Sequence, residues 1–448
     1  YNEDYILSKC HGIKYTNEQW HCKLNARNIF TLDIFSRGEF YGAYQRYCND
    51  NGENGRNYKI RDELWAHQVE SFKFKIKRRR CIDAGEMGIG KTISTLEALQ
   101  YFVDILGWQG IWWIGPNSGL TALRTQLSKW GYVHLFQGQQ NKIFNYHKLE
   151  KKMIEVEKEN LPQMLVFDEC HALKNSGARR TQLAMQLTEE MEKQYGNKCA
   201  IIGLTGTPSP ENHFDWWSIC EVIRSGWLRE NSFNKYKWRI ANWGIGERID
   251  GGTFPKFSSW KEYEVELLPK RLENLVLVTW KRNCLDLPEK VYEERILQPS
   301  EVTKRLAKAI TRMGTRAIEV QSHLRQLSDG FQYSEGKVEW GETPKDQALK
   351  DILEEHKEAE IKRIVIYAAF QASVDRCTKI CLEEGWNVWQ YDGRGQRSFE
   401  MGAGQMDGRE QRIGQFTEEL FQQPNNFSDF LAFVGNPEAA GQGLTLTP

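Results

Sequence analysis

One stretch limits this chain more than any other. Cys81-Ile82-Asp83-Ala84-Gly85-Glu86-Met87-Gly88-Ile89-Gly90-Lys91-Thr92 satisfies G-x-x-x-x-G-K-[ST], with Gly85, Gly90, Lys91 and Thr92 in the fixed places. An apolar pair, Cys81-Ile82, precedes it. Ile93, Leu96, Leu99, Val103 and Leu106 follow at helical spacing, ending at Gly107, a suitable helix stop. Strand, glycine turn and helix is the arrangement that grips a phosphate chain. Glycines (Gly85, Gly88, Gly90) let backbone N–H groups close around the oxygens, and the helix N-terminus adds positive potential. In such a loop Lys91 reaches the β- and γ-phosphates of ATP, and the Thr92 hydroxyl holds Mg2+.

The metal and the attacking water need carboxylates opposite. Asp168-Glu169-Cys170-His171 follows the apolar run Met164 to Phe167. Asp168 is expected to orient Mg2+ and Glu169 to polarise the water, which makes Lys91, Asp168 and Glu169 the catalytic candidates. An acidic pair at a strand end is a weak signal alone; downstream of a phosphate loop it is a strong one.

The 448 residues are enough for two or three domains. Sixty Lys+Arg against 60 Asp+Glu give zero net charge, which excludes a wholly basic coat for nucleic acid and leaves room only for local patches. The longest apolar stretches, such as Gly110 to Gly115, fall far short of the roughly 20 residues that cross a bilayer. Ten scattered cysteines, without framework spacing, read as reduced thiols, and the expected location is intracellular. The chain starts at Tyr1 without a visible signal peptide.

Short β-branched or aromatic runs alternate with helical periodicity, the pattern of α/β units on parallel sheets. Ile111 to Ile114, Met164 to Phe167 and Ala200 to Leu204 form one series of buried strands; Ile364 to Tyr367, Val388 to Tyr391 and Phe430 to Val434 form a second. Two series imply two lobes. Between them, residues 211–285 mix Trp, Gly and charge without a clean period and read as an insertion or helical protrusion. Val302, Leu306, Ile310, Met313, Ala317, Val320, Leu324 and Leu327 mark one face of a single long helix, and Leu349, Ile352, Leu353 and His356 mark another. Residues 49–57 (NDNGENGRN) form a turn-rich linker after a small N-terminal piece.

With both sites read, the chain resembles superfamily-two helicases, and among them the Swi/Snf-like double-stranded DNA translocases, over residues 58–448. Leu64-Trp65-Ala66-His67-Gln68 looks like the adenine-sensing segment, with His67 and Gln68 at the base. Asp168-Glu169-Cys170-His171-Ala172-Leu173-Lys174-Asn175 matches the family's D-E-x-H with its Lys-Asn extension. Leu204-Thr205-Gly206-Thr207-Pro208 matches the motif that couples ATP state to lobe movement, so His171, Thr205, Gly206 and Thr207 are coupling candidates. Asn145-Tyr146-His147-Lys148-Leu149 resembles the family's N-Y-x-x-L. Later, Leu287-Pro288-Glu289-Lys290 is similar to L-P-x-K, and Leu324-Arg325-Gln326-Leu327 to the L-R-Q helix. Residues 439–446 (AAGQGLTL) look most like the annealing-helicase (HARP-like) branch.

The resemblance implies two RecA-like parallel-sheet lobes with helical protrusions and a small N-terminal accessory segment. The expected bounds are 1–57 for that segment, 58–285 for the first lobe with its insertion at about 211–285, and 286–448 for the second. It implies ATP and Mg2+ as cofactors, duplex DNA bound without regard to sequence, and no membrane partner; protein partners stay open. DNA-contacting candidates are Pro116, Lys174 and Asn175 in the first lobe and Gly441 and Gly443 in the second. An ATP-gated nucleic-acid clamp, or the motor subunit of a restriction or defence complex, stays open as an alternative.

Three departures matter. The family has Asp where this chain has Gly85, and Ala where it has Cys170. The final Arg-rich motif belongs after Leu446, but the sequence ends at Pro448; Arg412-Ile413-Gly414-Gln415 lies upstream and better fits the R-x-x-x-I-x-x-F helix as Arg409, Ile413 and Phe416. No arginine finger is therefore assigned. Such a finger contributes about 10³–10⁵ in rate, so slow hydrolysis is expected of these 448 residues.

Weaker signals take bland readings. Residues 73–80 (KFKIKRRR) read as a solvated face with apolar anchors. Cys10-His11 and His21-Cys22 lack zinc-site spacing. Trp112-Trp113 and Trp216-Trp217 read as core.

Overall fold

The structure, a computed structural model, describes residues 14–16, 19–21, 58–155, 161–207, 212–230, 232–247, 252–286, 291–314, 316–333, 337–339, 341–399 and 430–437. The linker at 49–57, the segment at 287–290, the helix at 409–416 and Gly441 and Gly443 lie outside them. Two compact units divide at residues 288 and 289. A short antiparallel hairpin, β1 (Lys14–Thr16) and β2 (Gln19–His21), is described ahead of the first sheet.

The first unit is built on helix α1 (Ala66–Arg78), strand β3 (Arg80–Asp83), helix α2 (Lys91–Asp104), β4 (Ile111–Gly115), α3 (Asn117–Lys129), β5 (Lys142–Asn145), α4 (Leu149–Glu155), β6 (Met164–Asp168), α5 (Arg179–Tyr195) and β7 (Ala200–Leu204). All pairings in its main sheet are parallel. Strands buried on both faces need apolar residues at every position rather than at alternate ones, which is how Ile111 to Ile114 and Met164 to Phe167 read. The alternation reappears as two core layers. Trp112, Ile114, Leu165, Phe167 and Ile201 face α5, whereas Trp113, Met164, Val166 and Ile202 face α1, α2 and α3. The Trp112-Trp113 pair is thus core, one indole on each side, at 1% and 0% exposure.

The segment after β7, expected as an insertion or helical protrusion, mixes helices with strands. It forms α6 (Asp215–Ile223), α7 (Phe233–Ile240), an antiparallel hairpin of β8 (Ala241–Glu247) and β9 (Thr253–Trp260), α8 (Glu262–Leu272), and β10 (Val276–Leu277). Trp216, Trp217, Ile219 and Ile223 of α6 are buried in the layer with α5, and β10 closes the sheet beside β3. The strand order is β10-β3-β7-β6-β4-β5. The Trp216-Trp217 pair is core, as the sequence reads, whereas a two-residue strand is too short to show a period. Helix α9 (Lys281–Cys284) follows.

The basic run is a second departure. Lys75 is fully buried, and Arg78 and Arg80 are nearly so. Arg80 pairs with Glu192 at 3.3 Å and donates to the Gly196 carbonyl at 2.7 Å. Arg79 caps α1 with a φ of 57° and lies over the Trp108 ring. Every second cation therefore anchors the end of α1 and the start of β3 instead of facing water.

In the second unit the expected long helix is two, α10 (Glu301–Met313) and α11 (Ala317–Ser328). Gly314 leaves the helical region at φ −76°, ψ 132°, and a Cβ there would meet Val320 Cγ2 at 2.0 Å. Strands β11 (Phe331–Tyr333) and β12 (Lys337–Glu339) form a small hairpin, and α12 (Pro344–Glu358) starts with a Thr343–Asp346 capping box. A four-stranded sheet follows, built from β13 (Arg363–Tyr367), α13 (Gln371–Glu383), β14 (Asn387–Asp392), β15 (Gly395–Phe399) and β16 (Leu431–Gly435). Its order is β13-β16-β14-β15, parallel except for the β14/β15 pair. Both units are thus α/β folds on parallel sheets.

Leu165 is fully buried at the centre of the first sheet. Leu165→Ala should cost about 2–5 kcal/mol, read as a lower urea midpoint for the first unit at unchanged m value.

Candidate nucleotide-binding site

Parallel pairing sends β3, β7, β6 and β4 to one edge of the first sheet, where Asp83, Leu204, Asp168 and Gly115 end them. Ligands bind outside the carboxyl ends of such strands. Glu86 N–H bonds the Thr279 carbonyl at 3.0 Å, carrying the β3–β10 contact into the loop. Gly88 (φ 82°) and Gly90 (φ 86°) sit in the left-handed region that glycine adopts without strain. A Cβ on Gly90 would also strike Gln68 Nε2 at 2.2 Å, and one on Gly85 would strike Ile89 Cδ1 at 2.1 Å.

Lys91 opens α2 and folds back over the loop, donating to the Gly85 carbonyl at 2.7 Å and the Glu86 carbonyl at 3.0 Å. Burial lowers its pKa, against the pull of Asp83, Glu169 and Asp168. Thr92 follows it, half-buried, on the first turn of α2. His67 and Gln68, on the first turn of α1, meet the far end of the loop. Gln68 Nε2 donates to the Ile89 carbonyl at 3.1 Å, His67 Nε2 lies 2.8 Å from the same oxygen, and Gln68 Oε1 accepts the Trp65 N–H at 3.1 Å. Both residues therefore brace the loop directly.

Asp168 ends β6 and is hemmed in. Its Oδ2 lies 3.4 Å from Trp113 Nε1, its Oδ1 accepts the Glu169 N–H at 3.1 Å, and its carbonyl accepts the Tyr146 hydroxyl at 2.8 Å. A Cβ on Gly119 would stand 3.3 Å from Oδ2, and one on Gly115 3.0 Å from Cβ, so both glycines clear space for this carboxylate. Burial, then the neighbouring Glu169 charge, pushes the Asp168 carboxyl up to about 6. Glu169 adopts φ 51°, ψ 53°, a left-handed conformation that costs a non-glycine residue about 1–2 kcal/mol. That turn swings its side chain beside His171, where Glu169 Oε2 lies 3.2 Å from Nδ1. The same nitrogen lies 3.2 Å from Thr205 Oγ1. Thr205 is fully buried, its hydroxyl accepts the Thr207 N–H at 3.1 Å, and its own N–H bonds the Asp83 carbonyl at 3.1 Å. A Cβ on Gly206 would touch Met87 Cγ at 3.0 Å, so the turn after β7 lies against the phosphate loop.

The structure thus gathers Lys91, Asp168, Glu169, His171, Thr205, Gly206 and Thr207 around one loop. Pro116 is the N-cap of α3 at the end of β4. Lys174 and Asn175 follow the 3₁₀ turn Cys170–Leu173, where Asn175 is exposed and its Oδ1 accepts the Gly177 N–H at 2.9 Å. Sequence reasoning missed Trp113, whose alternate position in a buried strand concealed its indole N–H. It also quoted Tyr146 only as part of a motif, although its hydroxyl ties β5 to Asp168.

For Mg2+ the donor chemistry fits. A hydroxyl and a carboxylate are hard oxygen ligands, and the Asp168 carboxylate sits in excess negative charge that a cation would relieve. Among the described residues no cluster of three His, Cys, Asp or Glu forms a separate metal site, seven cysteines are free, and no helix is long and apolar enough to cross a membrane.

A parallel sheet whose strand leads into this loop, with an acidic pair two strands away, defines a P-loop nucleotide-binding protein. Residues 19–330 match the SNF2-related domain, and the chain belongs to that family. It is 28% identical to the SWI/SNF-related matrix-associated actin-dependent regulator of chromatin subfamily A-like protein 1 of Drosophila melanogaster over 185 residues, 37% of this chain and 22% of that protein. It is 25% identical to the TATA-binding protein-associated factor MOT1 of Saccharomyces cerevisiae over 169 residues, 38% of this chain and 8% of that protein. The matches therefore span under a quarter of either relative. Among solved structures, the Sulfolobus solfataricus SWI2/SNF2 ATPase core in complex with dsDNA aligns at TM-score 0.40 and 18% identity, over 86% of this chain and 80% of that one. The core domain without DNA aligns at TM-score 0.41 and 18% identity, over 87% and 78%.

The raised Asp168 pKa has a definite sign. The folded state holds this proton up to about pH 6, whereas the unfolded chain loses it near 4. Stability contributed by the neutral form is thus lost as pH rises through that window. Asp168→Asn should flatten the loss and raise stability at pH 7.5 by about 3 kcal/mol, measured by urea unfolding without nucleotide or magnesium.

Proposed function

We propose that the chain is an ATP-dependent double-stranded DNA translocase of the Swi/Snf-like family, remodelling DNA or protein–DNA complexes at the expense of ATP. The observation that supports it most is the convergence of Lys91, Asp168, Glu169 and Thr205 on the carboxyl edge of one sheet, in a chain of the SNF2-related family. The segment 439–446, outside the described residues, supports the annealing-helicase (HARP-like) branch.

In this reading Lys91 exchanges the Gly85 and Glu86 carbonyls for the β- and γ-phosphate oxygens, and the N–H groups at Gly88 to Thr92 close around them. The Thr92 hydroxyl and Asp168 hold Mg2+, which supplies charge neutralisation to the transferring phosphoryl group. Glu169 orients and polarises the attacking water. His171 Nδ1 faces two groups at once. When it carries a proton it can donate to Glu169, and when it does not it can accept from the Thr205 hydroxyl. The carboxylate that handles water is thus linked to the turn between β7 and α6, a route for passing phosphate state into the rest of the fold. Pro116, Lys174 and Asn175 in the first unit, with Gly441 and Gly443 in the second, would contact the DNA backbone. Phosphate contacts carry no base information, so binding is independent of sequence and falls steeply with salt. The scattered free thiols favour an intracellular protein.

Lys91→Ala should weaken ATP binding about ten- to a hundredfold by calorimetry, the equivalent of the ~1.5–3 kcal/mol of a charged hydrogen bond. Glu169→Gln should keep ATP affinity within a few-fold while DNA-stimulated turnover drops by about 10²–10⁴; turnover near that of the unaltered chain would remove Glu169 from the mechanism. A triplex-displacement assay separates motor from clamp. Displacement without strand separation supports translocation, whereas tight ATP-dependent DNA binding with no displacement supports the clamp.

A further inference from the structure

Beneath the phosphate loop lies a charge pair that the proposed reaction does not use. Lys75 Nζ and Asp83 Oδ2 are 2.6 Å apart, with side-chain exposures of 0% and 1%. The ammonium spends its other donors on Ser71 Oγ at 2.5 Å and Ser94 Oγ at 2.9 Å. The carboxylate divides its oxygens: Oδ2 also accepts the Ser71 hydroxyl at 2.7 Å, while Oδ1 accepts the Gly85 N–H at 3.2 Å. Ser94 in turn donates to the Lys91 carbonyl at 3.0 Å. One buried cation therefore joins α1, the end of β3 and the first turn of α2, the three elements that meet at the loop. Burial alone would push the Asp83 carboxyl up, but Lys75 and Ser71 hold it below the usual carboxylate range.

The loop is consequently pinned from α1 at both ends. Its exit, the Ile89 carbonyl, rests on His67 and Gln68. Its entry, the Gly85 N–H, rests on Asp83, which Lys75 holds from two turns further along the same helix. Stability alone does not call for such a pair, because apolar residues of similar volume commonly replace a buried ion pair at no loss. What they cannot supply is an acceptor for the Gly85 N–H.

We propose that Lys75 and Asp83 are positioning residues that hold the empty phosphate loop in its nucleotide-receiving shape. This rests on the nucleotide reading above. Loss of the pair leaves the loop receptive for only part of the time, and apparent affinity falls by that fraction.

The test is the charge-free double variant Lys75→Met/Asp83→Leu in the full chain, with a fluorescent ATP analogue as probe. The expected result is a Kd raised about tenfold, one site per chain retained, and a urea midpoint at or above that of the unaltered protein. A merely structural role predicts the reverse, fewer competent sites at unchanged Kd, and that result would overturn the proposal. Amide hydrogen exchange on the nucleotide-free protein separates this from failure of the nucleotide reading. Exchange from Gly85 to Gly90 should quicken about tenfold in the double variant while β6 stays protected; equal loop exchange refutes positioning whether or not the analogue binds. Should the double variant fail to fold, Ser94→Ala removes the link to α2, the contacts of Ser94 Oγ with Lys75, Ser71 and the Gly90 and Lys91 carbonyls, and leaves the Lys75–Asp83 contact in place. It should raise Kd two- to fivefold with the midpoint nearly unchanged, and an unaltered Kd there also overturns the proposal.

Discussion

Parallel strand pairing is the constraint on which the site depends. Because β3, β7, β6 and β4 run the same way, their carboxyl ends share an edge, and residues as distant in sequence as Asp83 and Leu204 become neighbours. The turn after each strand then contributes one component: the phosphate loop, the Thr205–Thr207 turn, the acidic pair and the Gly115–Pro116 bend. An antiparallel sheet of the same strands would scatter them over two edges. Burying such a sheet on both faces is what makes the strands continuously apolar, so the demand that creates the site also made its strands readable.

Legibility followed the length and purity of the pattern. The six strands read as buried runs appear within a residue or two of the expected bounds, since a run such as Ala200 to Leu204 has no other stable home in water. Residues 211–285 were opaque for an opposite reason. Only the Trp216-Trp217 pair was legible as core; the helix that carries it is buried nearly all round and so shows no apolar stripe, and β10 needs two residues because β3 supplies its register. The division of 301–328 into two helices turned on Gly314, a single residue that a sum of apolar positions passes over.

The site divides the same way. Lys91 and Asp168 announce themselves because the motifs they stand in fix their neighbours in sequence. Trp113, Tyr146 and Lys75 do not, because their partners lie 55, 22 and 8 residues away. A lysine in a run of cations looks solvated until the fold reveals an aspartate behind it. Asp83 was equally hidden inside an apolar strand, where an acid has no local reason to be.

The free site carries more negative than positive charge. Asp168 and Glu169 face one lysine whose own pKa burial has lowered, while Asp83 is neutralised from behind by Lys75. Three carboxylates around a single cation would bind a polyphosphate poorly. With Asp83 balanced, the remaining excess sits at Asp168, whose carboxyl burial, and then the neighbouring Glu169 charge, raises to about 6. A divalent cation arriving with the phosphates would relieve this charge, so anion and metal each make the other's binding more favourable. In the proposed reading, separating the acid beneath the loop from the acids facing it would let one small edge serve a tetraanion and a cation together. In that reading the buried pair would do the separating, since without Lys75 the field of Asp83 would oppose every phosphate oxygen that Lys91 is proposed to attract.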